Sequence, residues 1–390
     1  MTLPVIALGN TKVRVGFDAR WYNDSGVGSY VANLLRAMAA MPREIELIVY
    51  ENPGNPVPAL EGTAVRKVEV KARRYSLTEG FELRHRVHED KVDLFHSPFY
   101  WMPRGLNCPV VVTMHDLIPF LFPIYPWPKQ WVIQRGYRIA ARQAASIIAG
   151  SENTAKDVRE ILGVAGERIT PIADAADRNC FRPQGGCEEL AFLRERYGVS
   201  PPYLVAASAR NWRAKNLEGA LQVLRLARRE SNIGFQTVVY GPAAGLDAAG
   251  GEAAWPDLNL RRTGYMEAKD LAALFRHARA FVMPALYEGF GLPVLEAMSC
   301  GCAVITSNAG SLAEVAGEGA QVFAPHDVAG MARAISGLLR NREELDHWKA
   351  AALRRAEDFS WAKAARETIS VYHRTREIFF RGRHALSRQE

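Results

Sequence analysis

The chain has 390 residues, of which 48% are hydrophobic and 23% charged. This length favours two domains, and this composition excludes an intrinsically disordered protein. The formal net charge of +7 favours anionic partners such as phosphates or acidic lipid headgroups. The basic residues are scattered, and the sequence contains no zinc-finger, RRM or helix-turn-helix motif. We therefore expect no binding to nucleic acid.

The cysteines and the apolar runs indicate the compartment. The five cysteines are odd in number and form no CxxC pair, which favours reduced thiols over disulfides or a zinc site. The N-terminal apolar run is interrupted by Pro4 and does not resemble a signal peptide. No stretch reaches the roughly 18 apolar residues of a membrane-spanning helix. The longest, Leu117–Trp131, carries four prolines and is expected to form a loop in a cytoplasmic protein.

Short β-rich runs alternate with helical segments along the chain, which is typical of parallel α/β sheets. In the first half the expected strands are Val13–Ala19, Ile45–Tyr50, Val92–His96, Val110–His115 and Ser146–Ala149, with helices at Tyr30–Met41 and Asn153–Leu162. In the second half they are Tyr203–Ala207, Gln236–Tyr240, Leu258–Thr263, Ala280–Pro284 and Ala303–Thr306, with helices at Leu217–Glu230, Ala268–His277 and Pro293–Ser299.

The repeated pattern predicts an α/β fold of two doubly wound, Rossmann-like domains that face a central cleft. We place the first domain at residues 1–182, a linker at 183–202 that is rich in Pro and Gly, and the second domain at 203–361. A C-terminal helix at about 362–380 is expected to pack back on the first domain. Ligands of such sheets bind at the carboxyl ends of the strands, so the loops after strands are the places to search.

The most informative segment is residues 285–297, where a β-rich run ends and a helix begins. Pro293 suits the first turn of a helix. The amides of Phe290, Gly291 and Leu292 would then be free to bind an anion, assisted by the helix dipole. Glycine at 289 and 291 would let a phosphate approach the backbone closely.

Two glutamates frame this segment, separated by seven residues. Glu296 lies one turn into the helix, where a carboxylate suits two vicinal hydroxyls such as those of a ribose. Glu288 lies at the strand end and could reach hydroxyls of a transferred sugar. The alternative is an ordinary strand-turn-helix in which Glu296 complements the helix dipole, and the residues alone leave the two interpretations equal.

The Glu-x7-Glu segment with Gly-Phe-Gly-Leu-Pro inside resembles the donor-site motif of the retaining glycosyltransferases of family 4 (group 1 glycosyl transferases), which have the GT-B fold. Further segments resemble the same family at residues 112–119, 207–217, 239–242, 263–266 and 310–317. The last of these is similar to its mannosyltransferase-like members. The resemblance covers nearly the whole chain.

The resemblance implies that Lys215 places an ammonium over the donor diphosphate. The family usually has an arginine directly before this lysine, whereas this sequence offers Arg210 and Arg213. We favour Arg210 because it lies at the strand edge, and plain surface charge is the alternative for both arginines. Two cations and a helix terminus would stabilise a departing nucleoside diphosphate, whose charge grows in the transition state.

His115 and Asp116 end an expected strand of the first domain. A histidine in such a place is commonly a structural hydrogen-bonding residue. The resemblance implies instead that His115 contacts the transferred sugar at the reacting centre, and that Asp116 orients the loop or the acceptor.

Other donor-binding residues are expected around the cleft. Gly26 and Gly28 form a short glycine loop between a strand and a helix, a weak motif that would present amides to the donor phosphate or the acceptor, with Arg20 assisting. The resemblance adds Tyr265 and Met266 after a strand of the second domain.

Aromatic and basic clusters in the first domain each have two interpretations. Tyr100, Trp101 and the loop 120–131 form either packed loops or a rim that recognises the acceptor and touches a lipid-linked substrate. The basic residues between Arg66 and Arg74 are either a solvated loop or a peripheral contact with the inner face of a membrane.

The sequence indicates no metal site and no cofactor. No Asp-x-Asp motif is present, although a divalent cation that holds a sugar diphosphate generally needs clustered carboxylates. His85 and His88 are three residues apart among charged neighbours, which is typical of a solvated helix face.

Together with these observations, the resemblance implies a retaining glycosyltransferase. We expect transfer of a sugar, mannose from GDP-mannose above others, to a hydroxyl of a glycan or lipid-linked acceptor in cell-surface polysaccharide assembly. UDP-glucose or UDP-N-acetylglucosamine is the alternative donor. An epimerase or phosphorylase on the same fold, or a non-catalytic nucleotide-binding protein, is a further alternative.

Overall fold

The computed structural model describes residues 12–22, 25–41, 44–60, 65–72, 74, 76–209 and 212–386. The strands are β1 Val13–Asp18, β2 Ile45–Glu51, β3 Arg66–Glu69, β4 Leu94–Ser97, β5 Val110–Met114, β6 Ser146–Ala149, β7 Ile169–Pro171, β8 Tyr203–Ala207, β9 Gln236–Tyr240, β10 Leu260–Gly264, β11 Ala280–Met283, β12 Val304–Ser307 and β13 Gln321–Phe323.

The helices alternate with these strands. They are α1 Ser25–Ala39, α2 Leu77–Glu89, α3 Ile118–Leu121, α4 Trp127–Gln143, α5 Glu152–Leu162, α6 Glu189–Tyr197, α7 Trp212–Lys215, α8 Leu217–Ser231, α9 Ala244–Ala248, α10 Ala268–His277, α11 Leu292–Ser299, α12 Leu312–Ala316, α13 Val328–Arg340, α14 Arg342–Ala356 and α15 Trp361–Leu386.

The strands form two separate parallel sheets, one in each half of the chain. The first has the order β3-β2-β1-β4-β5-β6-β7 and the second the order β10-β9-β8-β11-β12-β13. Each is doubly wound, because the chain steps outward from its first strand in one direction and then in the other. The direction reverses between β1 and β4 and between β8 and β11, and ligands of such sheets bind at these switch points.

Each sheet is covered on both faces by helices, so its strands are apolar runs. All five residues of β8, for example, are buried, as expected for a central parallel strand. The final helix α15 packs against α1, and its Ala365, Ile369 and Tyr372 lie in the hydrophobic core of the first sheet. The C-terminus of the chain therefore returns to the first half.

The segment that joins the halves is partly ordered by the second one. Helix α6 packs against α10, and Leu193, Tyr197 and Val199 lie in the second core. Glu189 forms an ion pair with Arg276 and a hydrogen bond with His277. By packing, residues 189–199 thus belong to the second half of the molecule.

The structure corrects several sequence expectations about local structure. Strands β3, β7 and β13 were not expected, because they are three or four residues long and lie towards the sheet edges. The proline-rich segment Leu117–Trp131 is not all loop: it contains α3 and the start of α4. Each of these two helices has a proline in its first turn, where no N–H is needed.

The basic cluster near Arg66 is largely occupied by partners within the protein. Arg66 pairs with Asp90, and Lys67 lies 3.7 Å from Glu51. Arg74 lies over the ring of Trp21 at 4.3 Å, and Arg73 lies outside the described residues. These pairings favour contacts within the protein over a contact of this cluster with a membrane. In the described part of the chain, no helix is both long and apolar enough to cross a membrane.

Candidate active site

Two charged side chains meet at the switch point of the second sheet. Lys215 follows β8 and Glu288 follows β11, and the two strands are neighbours. The Lys215 ammonium and the Glu288 carboxylate form an ion pair, and each side chain is only 11% exposed. The fold thus brings together two of the sequence-predicted residues that lie 73 positions apart (288 − 215).

Backbone and amide hydrogen bonds fix the two loops that carry this pair. The amide of Leu286 donates to the Ala214 carbonyl over 2.7 Å. The side-chain amide of Asn216 donates to the Pro284 carbonyl over 2.8 Å. Asn216 has a left-handed conformation with φ of 53°, which asparagine tolerates better than most residues. The position of Lys215, the last residue of α7, is therefore set by the hydrogen bonds of its two neighbours.

The turn after Glu288 is held from one side by the loop before α12. The Ser311 hydroxyl contacts two carbonyls, those of Glu288 at 3.1 Å and Phe290 at 2.6 Å. A Cβ atom on Gly310 would overlap the Glu288 carbonyl oxygen, and φ at this residue is +60°. Only glycine permits this close approach.

Helix α11 begins at this turn as the sequence predicts. Gly291 is its N-cap with φ of 101°, and Pro293 lies in the first turn. The amides of Phe290, Gly291 and Leu292 find no acceptor within the described segments. The arrangement leaves donors available to an anion next to Lys215.

Glu296 lies one turn further along α11, close enough for the Lys215 charge to act on it. Burial raises the pKa of its carboxyl to about 8, and Lys215 opposes this increase. Burial also raises the pKa of Asp116 in the other domain to about 6, with a further increase from Glu288. Lys215 therefore interacts with three carboxyl groups, those of Glu288, Glu296 and Asp116. A diphosphate that binds here would change these interactions.

His115 comes from the opposite sheet, at the carboxyl end of β5. Its Nε2 lies 2.8 Å from the Pro98 carbonyl oxygen, so this nitrogen carries the proton and donates. Burial lowers the pKa of His115 to about 4. The ring is therefore neutral at physiological pH, and its Nδ1 is a hydrogen-bond acceptor. The Asp116 carboxylate accepts from the Ile118 amide over 2.9 Å, which orients the loop.

The two domains touch directly at Gly289. A Cβ atom here would overlap the His115 carbonyl oxygen and lie 2.6 Å from the Cβ of Asp116. The Gly289 carbonyl accepts hydrogen bonds from the hydroxyls of Ser151 at 2.6 Å and Thr154 at 2.9 Å. The donor turn and the His115 loop are thus in van der Waals contact, and the cleft is closed at this point.

Sequence reasoning missed a second group of contacts across the cleft. Tyr287 donates to Asp157 on α5 over 2.5 Å. The Glu314 carboxylate accepts from the amides of Glu152 and Asn153, at 3.1 and 3.4 Å. A side chain of the second domain therefore occupies the N-terminus of a helix in the first, where a carboxylate is favoured. The only sequence signal was the N-cap Ser151 after β6.

Several other expected site residues have structural roles. Tyr100 is 7% exposed and stacks on Tyr137 with ring centroids 4.0 Å apart, so packing explains it. The Trp101 indole donates to Glu79 over 3.1 Å. Met266 is buried in the second core, where an apolar side chain is expected, whereas Tyr265 beside it is 88% exposed.

The glycine loop of the first domain is also corrected. Gly26 and Gly28 lie inside α1, which begins at Ser25 and not near residue 29. Their amides therefore belong to a first helical turn. Arg20 is buried between Asp18 and Glu79, at 2.7 and 2.8 Å. These two ion pairs favour a structural role for Arg20 in the first domain.

Two further sequence predictions concern cations. Arg210 lies outside the described residues. Arg213 is exposed on α7 and donates to the Pro123 carbonyl of the first domain over 3.2 Å. Within the described ranges, no three His, Cys, Asp or Glu side chains are grouped so that they could hold a metal ion. His85 lies on α2 and pairs with Glu89 at 3.2 Å on an exposed face.

Comparison with known proteins agrees with this geometry. Two family models match consecutive parts of the chain: Glycosyltransferase Family 4 over residues 25–178 and Glycosyl transferases group 1 over residues 192–355. The O-antigen chain mannosyltransferase B of Escherichia coli is 28% identical over 380 residues, which cover 90% of this chain and 96% of that protein.

Solved structures share the fold. Sucrose-phosphate synthase from Thermosynechococcus elongatus matches with a TM-score of 0.73 and 19% identity, over 93% of this chain and 99% of that one. WaaG, a glycosyltransferase involved in lipopolysaccharide biosynthesis, matches with a TM-score of 0.68 and 14% identity, over 92% and 99%. The chain belongs to the group 1 glycosyl transferases of family 4 and is a glycosyltransferase with the GT-B fold.

The raised pKa of Glu296 predicts how donor affinity depends on pH. A carboxylate that accepts hydrogen bonds from two ribose hydroxyls binds best when ionised, so affinity for a nucleotide sugar should increase roughly tenfold between pH 6 and pH 8. Isothermal titration with GDP-mannose, a diphosphate diester without a proton to lose in this range, measures it. Below pH 6, protonation of Asp116 would act in the opposite direction by reducing repulsion of the phosphates.

The control is Glu296→Gln, which should remove the dependence between pH 7 and pH 8. The same substitution should raise the Tm of the ligand-free protein at pH 8 and above. A carboxyl with a raised folded-state pKa destabilises the fold once the pH exceeds its unfolded pKa, increasingly so up to its folded pKa. If affinity still increases with pH after this substitution, the ribose role of Glu296 is contradicted.

Proposed function

We propose that this chain transfers mannose from GDP-mannose, with retention of the anomeric configuration and without a metal ion. The proposed acceptor is a hydroxyl of a glycan or lipid-linked oligosaccharide in cell-surface polysaccharide assembly. The observation that carries the proposal is the similarity over 90% of the chain to a protein named as an O-antigen chain mannosyltransferase. The site geometry supports the reaction class.

The reaction breaks the bond between the sugar C1 and the diphosphate oxygen, forms a bond from C1 to the acceptor oxygen, and breaks the acceptor O–H bond, whose proton passes to the departing diphosphate. Negative charge grows on the departing diphosphate. Lys215 and the amides at the start of α11, which find no acceptor among the described residues, would stabilise that charge, and such stabilisation is usually a large contribution to catalysis. Glu296 would bind the ribose, and Glu288 would bind sugar hydroxyls once the diphosphate competes for Lys215.

The first domain would complete the sugar pocket through His115. Because the ring is neutral with its proton on Nε2, it serves as a hydrogen-bond acceptor at Nδ1 and not as a general acid. Closure at Gly289 would exclude water from the reacting carbon and so limit hydrolysis of the donor.

Thermal shift with GDP and UDP tests the donor. A nucleotide at 100 times its Kd stabilises the protein by about 2.7 kcal/mol, so we expect a clear increase in Tm with GDP and a smaller one with UDP. Incubation with GDP-mannose and UDP-glucose, followed by NMR of the transferred sugar on a captured glycan product, then determines sugar and anomeric configuration. Added EDTA should leave the rate unchanged.

The matched control is Lys215→Ala, which should lose the Tm increase with GDP. Stabilisation by UDP with none by GDP would replace the mannose donor by a UDP-sugar. An inverted product would contradict retention, and loss of activity in EDTA would contradict transfer without metal.

A further inference from the structure

The segment α3–α4 exposes large apolar side chains that proteins normally bury. Five of them lie within 12 positions, counted from residue 121 to residue 132. Their exposed fractions are 44% for Leu121, 37% for Tyr125, 78% for Trp127, 52% for Trp131 and 55% for Val132. We name these five residues the aromatic patch. Such a cluster on a surface usually marks a contact with another molecule or with a membrane.

The same segment is basic and contains no acid. From Leu117 to Gln143 the sequence has no Asp or Glu, whereas α4 carries four basic residues. The four basic residues, all of them exposed, are Lys129, Arg135, Arg138 and Arg142. An apolar patch beside basic residues, with no acid in the same segment, is complementary to a membrane surface, which is apolar inside and anionic outside.

The helix arranges these side chains in one row. Positions 131, 135, 138 and 142 are spaced by four, three and four residues, so they share one face of α4. Arg135 lies over the Trp131 ring at 5.6 Å, and Lys129 lies over the Tyr125 ring at 4.5 Å. Cations that lie over aromatic rings can bind the phosphates of lipid headgroups while the rings enter the interfacial layer of a membrane.

The opposite face of α4 is anchored in the first domain. Tyr137, Ala140 and Ala141 are buried there, and Tyr137 stacks on Tyr100. The exposed row is therefore held on a rigid helix. The same helix holds Trp127, Trp131 and Val132 of the aromatic patch.

The patch also lies beside the cleft. Helix α3 starts two residues after Asp116, whose carboxylate holds the Ile118 amide. The Pro123 carbonyl accepts a hydrogen bond from Arg213 of the second domain. A surface bound by the patch would therefore be close to the side of the cleft where His115 and Asp116 lie.

We propose that the aromatic patch and the basic row of α4 dock the enzyme on an anionic phospholipid bilayer. Trp127 and Trp131 enter the headgroup region, and Lys129, Arg135, Arg138 and Arg142 bind lipid phosphates. The docking surface is thus α4, and not the cluster near Arg66. The proposal deepens the acceptor part of the proposed function, on which it rests, because a lipid-linked acceptor would be presented at this surface.

Co-sedimentation with vesicles tests the docking. The full chain should bind vesicles of phosphatidylglycerol and phosphatidylcholine, and should bind pure phosphatidylcholine at least tenfold more weakly. Trp127→Ala with Trp131→Ala should reduce binding to the anionic vesicles tenfold or more. Arg135→Glu with Arg142→Glu should do the same and should abolish the dependence on salt.

The matched control for the tryptophan variant is Phe81→Ala, which removes a ring 67% exposed on α2. The matched control for the arginine variant is Arg333→Glu with Arg366→Glu, which replaces exposed arginines on α13 and α15. These should bind as the native protein does. Absence of binding to anionic vesicles, or equal loss in the controls, would overturn the proposal. Binding of an acidic protein without binding of vesicles would overturn it in favour of a protein partner.

Failure of the docking is distinguishable from failure of the proposed function. The Tm increase with GDP reports the nucleotide site and should be the same in the native protein and in all these variants. Variants that lose vesicle binding but keep this increase support the docking surface. A native protein that shows the increase but binds no vesicles leaves the donor site standing and refutes the docking alone.

Discussion

Replacing Lys215 with alanine is expected to lower kcat by a factor of about 10²–10³, the usual cost of losing one group that stabilises transition-state charge. The substitution removes the cation at the switch point between β8 and β11. It also leaves the Glu288 carboxylate, 11% exposed, without its partner. Initial rates of sugar transfer from GDP-mannose, with the Kd for GDP measured alongside, give the effect.

The loss of charge stabilisation must be separated from the loss of stability, because an uncompensated charge in a buried place is itself destabilising. The double variant Lys215→Met with Glu288→Gln removes both charges and should regain most of the native Tm. It should not regain activity. Lys269→Ala, at a lysine whose side chain is 71% exposed, is the matched control and should be unaffected. Recovery of transfer in the double variant would refute the role of Lys215.

Gly289→Ala is expected to lower kcat/KM at least 100-fold without unfolding either domain. The three atoms nearest to the new Cβ all belong to His115 and Asp116 of the opposite domain. The methyl group would therefore hold the cleft open by about 1 Å, a displacement that can cost a factor of 100 in rate. Steady-state kinetics and thermal unfolding measure the two effects.

Gly234→Ala is the matched control, because a Cβ at that glycine meets no atom within 4 Å. It should leave both activity and Tm unchanged. The Gly289→Ala variant should still bind GDP, since Lys215 and the amides at the start of α11 are untouched. Native kinetics in the Gly289→Ala variant would show that the contact with His115 is not needed for transfer.

The central strands and the donor turn could be predicted because their signals are local. Strands β6, β8 and β9 have the predicted bounds, since uninterrupted apolar runs mark buried parallel strands. The pairing of Lys215 with Glu288 follows from the doubly wound order, which makes β8 and β11 neighbours.

Contacts between the domains could not be predicted in this way. The Tyr287–Asp157 and Glu314–α5 contacts depend on the relative placement of two sheets, and no local pattern encodes this placement. The state of His115 was likewise hidden, because the Pro98 carbonyl that fixes its proton lies on a different loop.

The segment 310–317 favoured a particular donor when only the sequence was considered, whereas its contacts in the structure concern the cleft. Its resemblance to mannosyltransferase-like members favoured GDP-mannose. In the structure Gly310 and Ser311 hold the donor turn, Leu312 is buried in the core, and Glu314 reaches the opposite domain. These contacts concern the shape and closure of the cleft. The preference for a mannose donor therefore rests on relatives and requires the nucleotide experiments above.

The central claim is that the donor diphosphate lies between Lys215 and the first turn of α11. A crystal structure of the enzyme with GDP tests it most directly. We expect phosphate oxygens within about 3 Å of the Lys215 ammonium and of the Gly291 or Leu292 amide, with the ribose hydroxyls on Glu296. Phosphates bound elsewhere, with the Lys215–Glu288 pair undisturbed, would contradict the account.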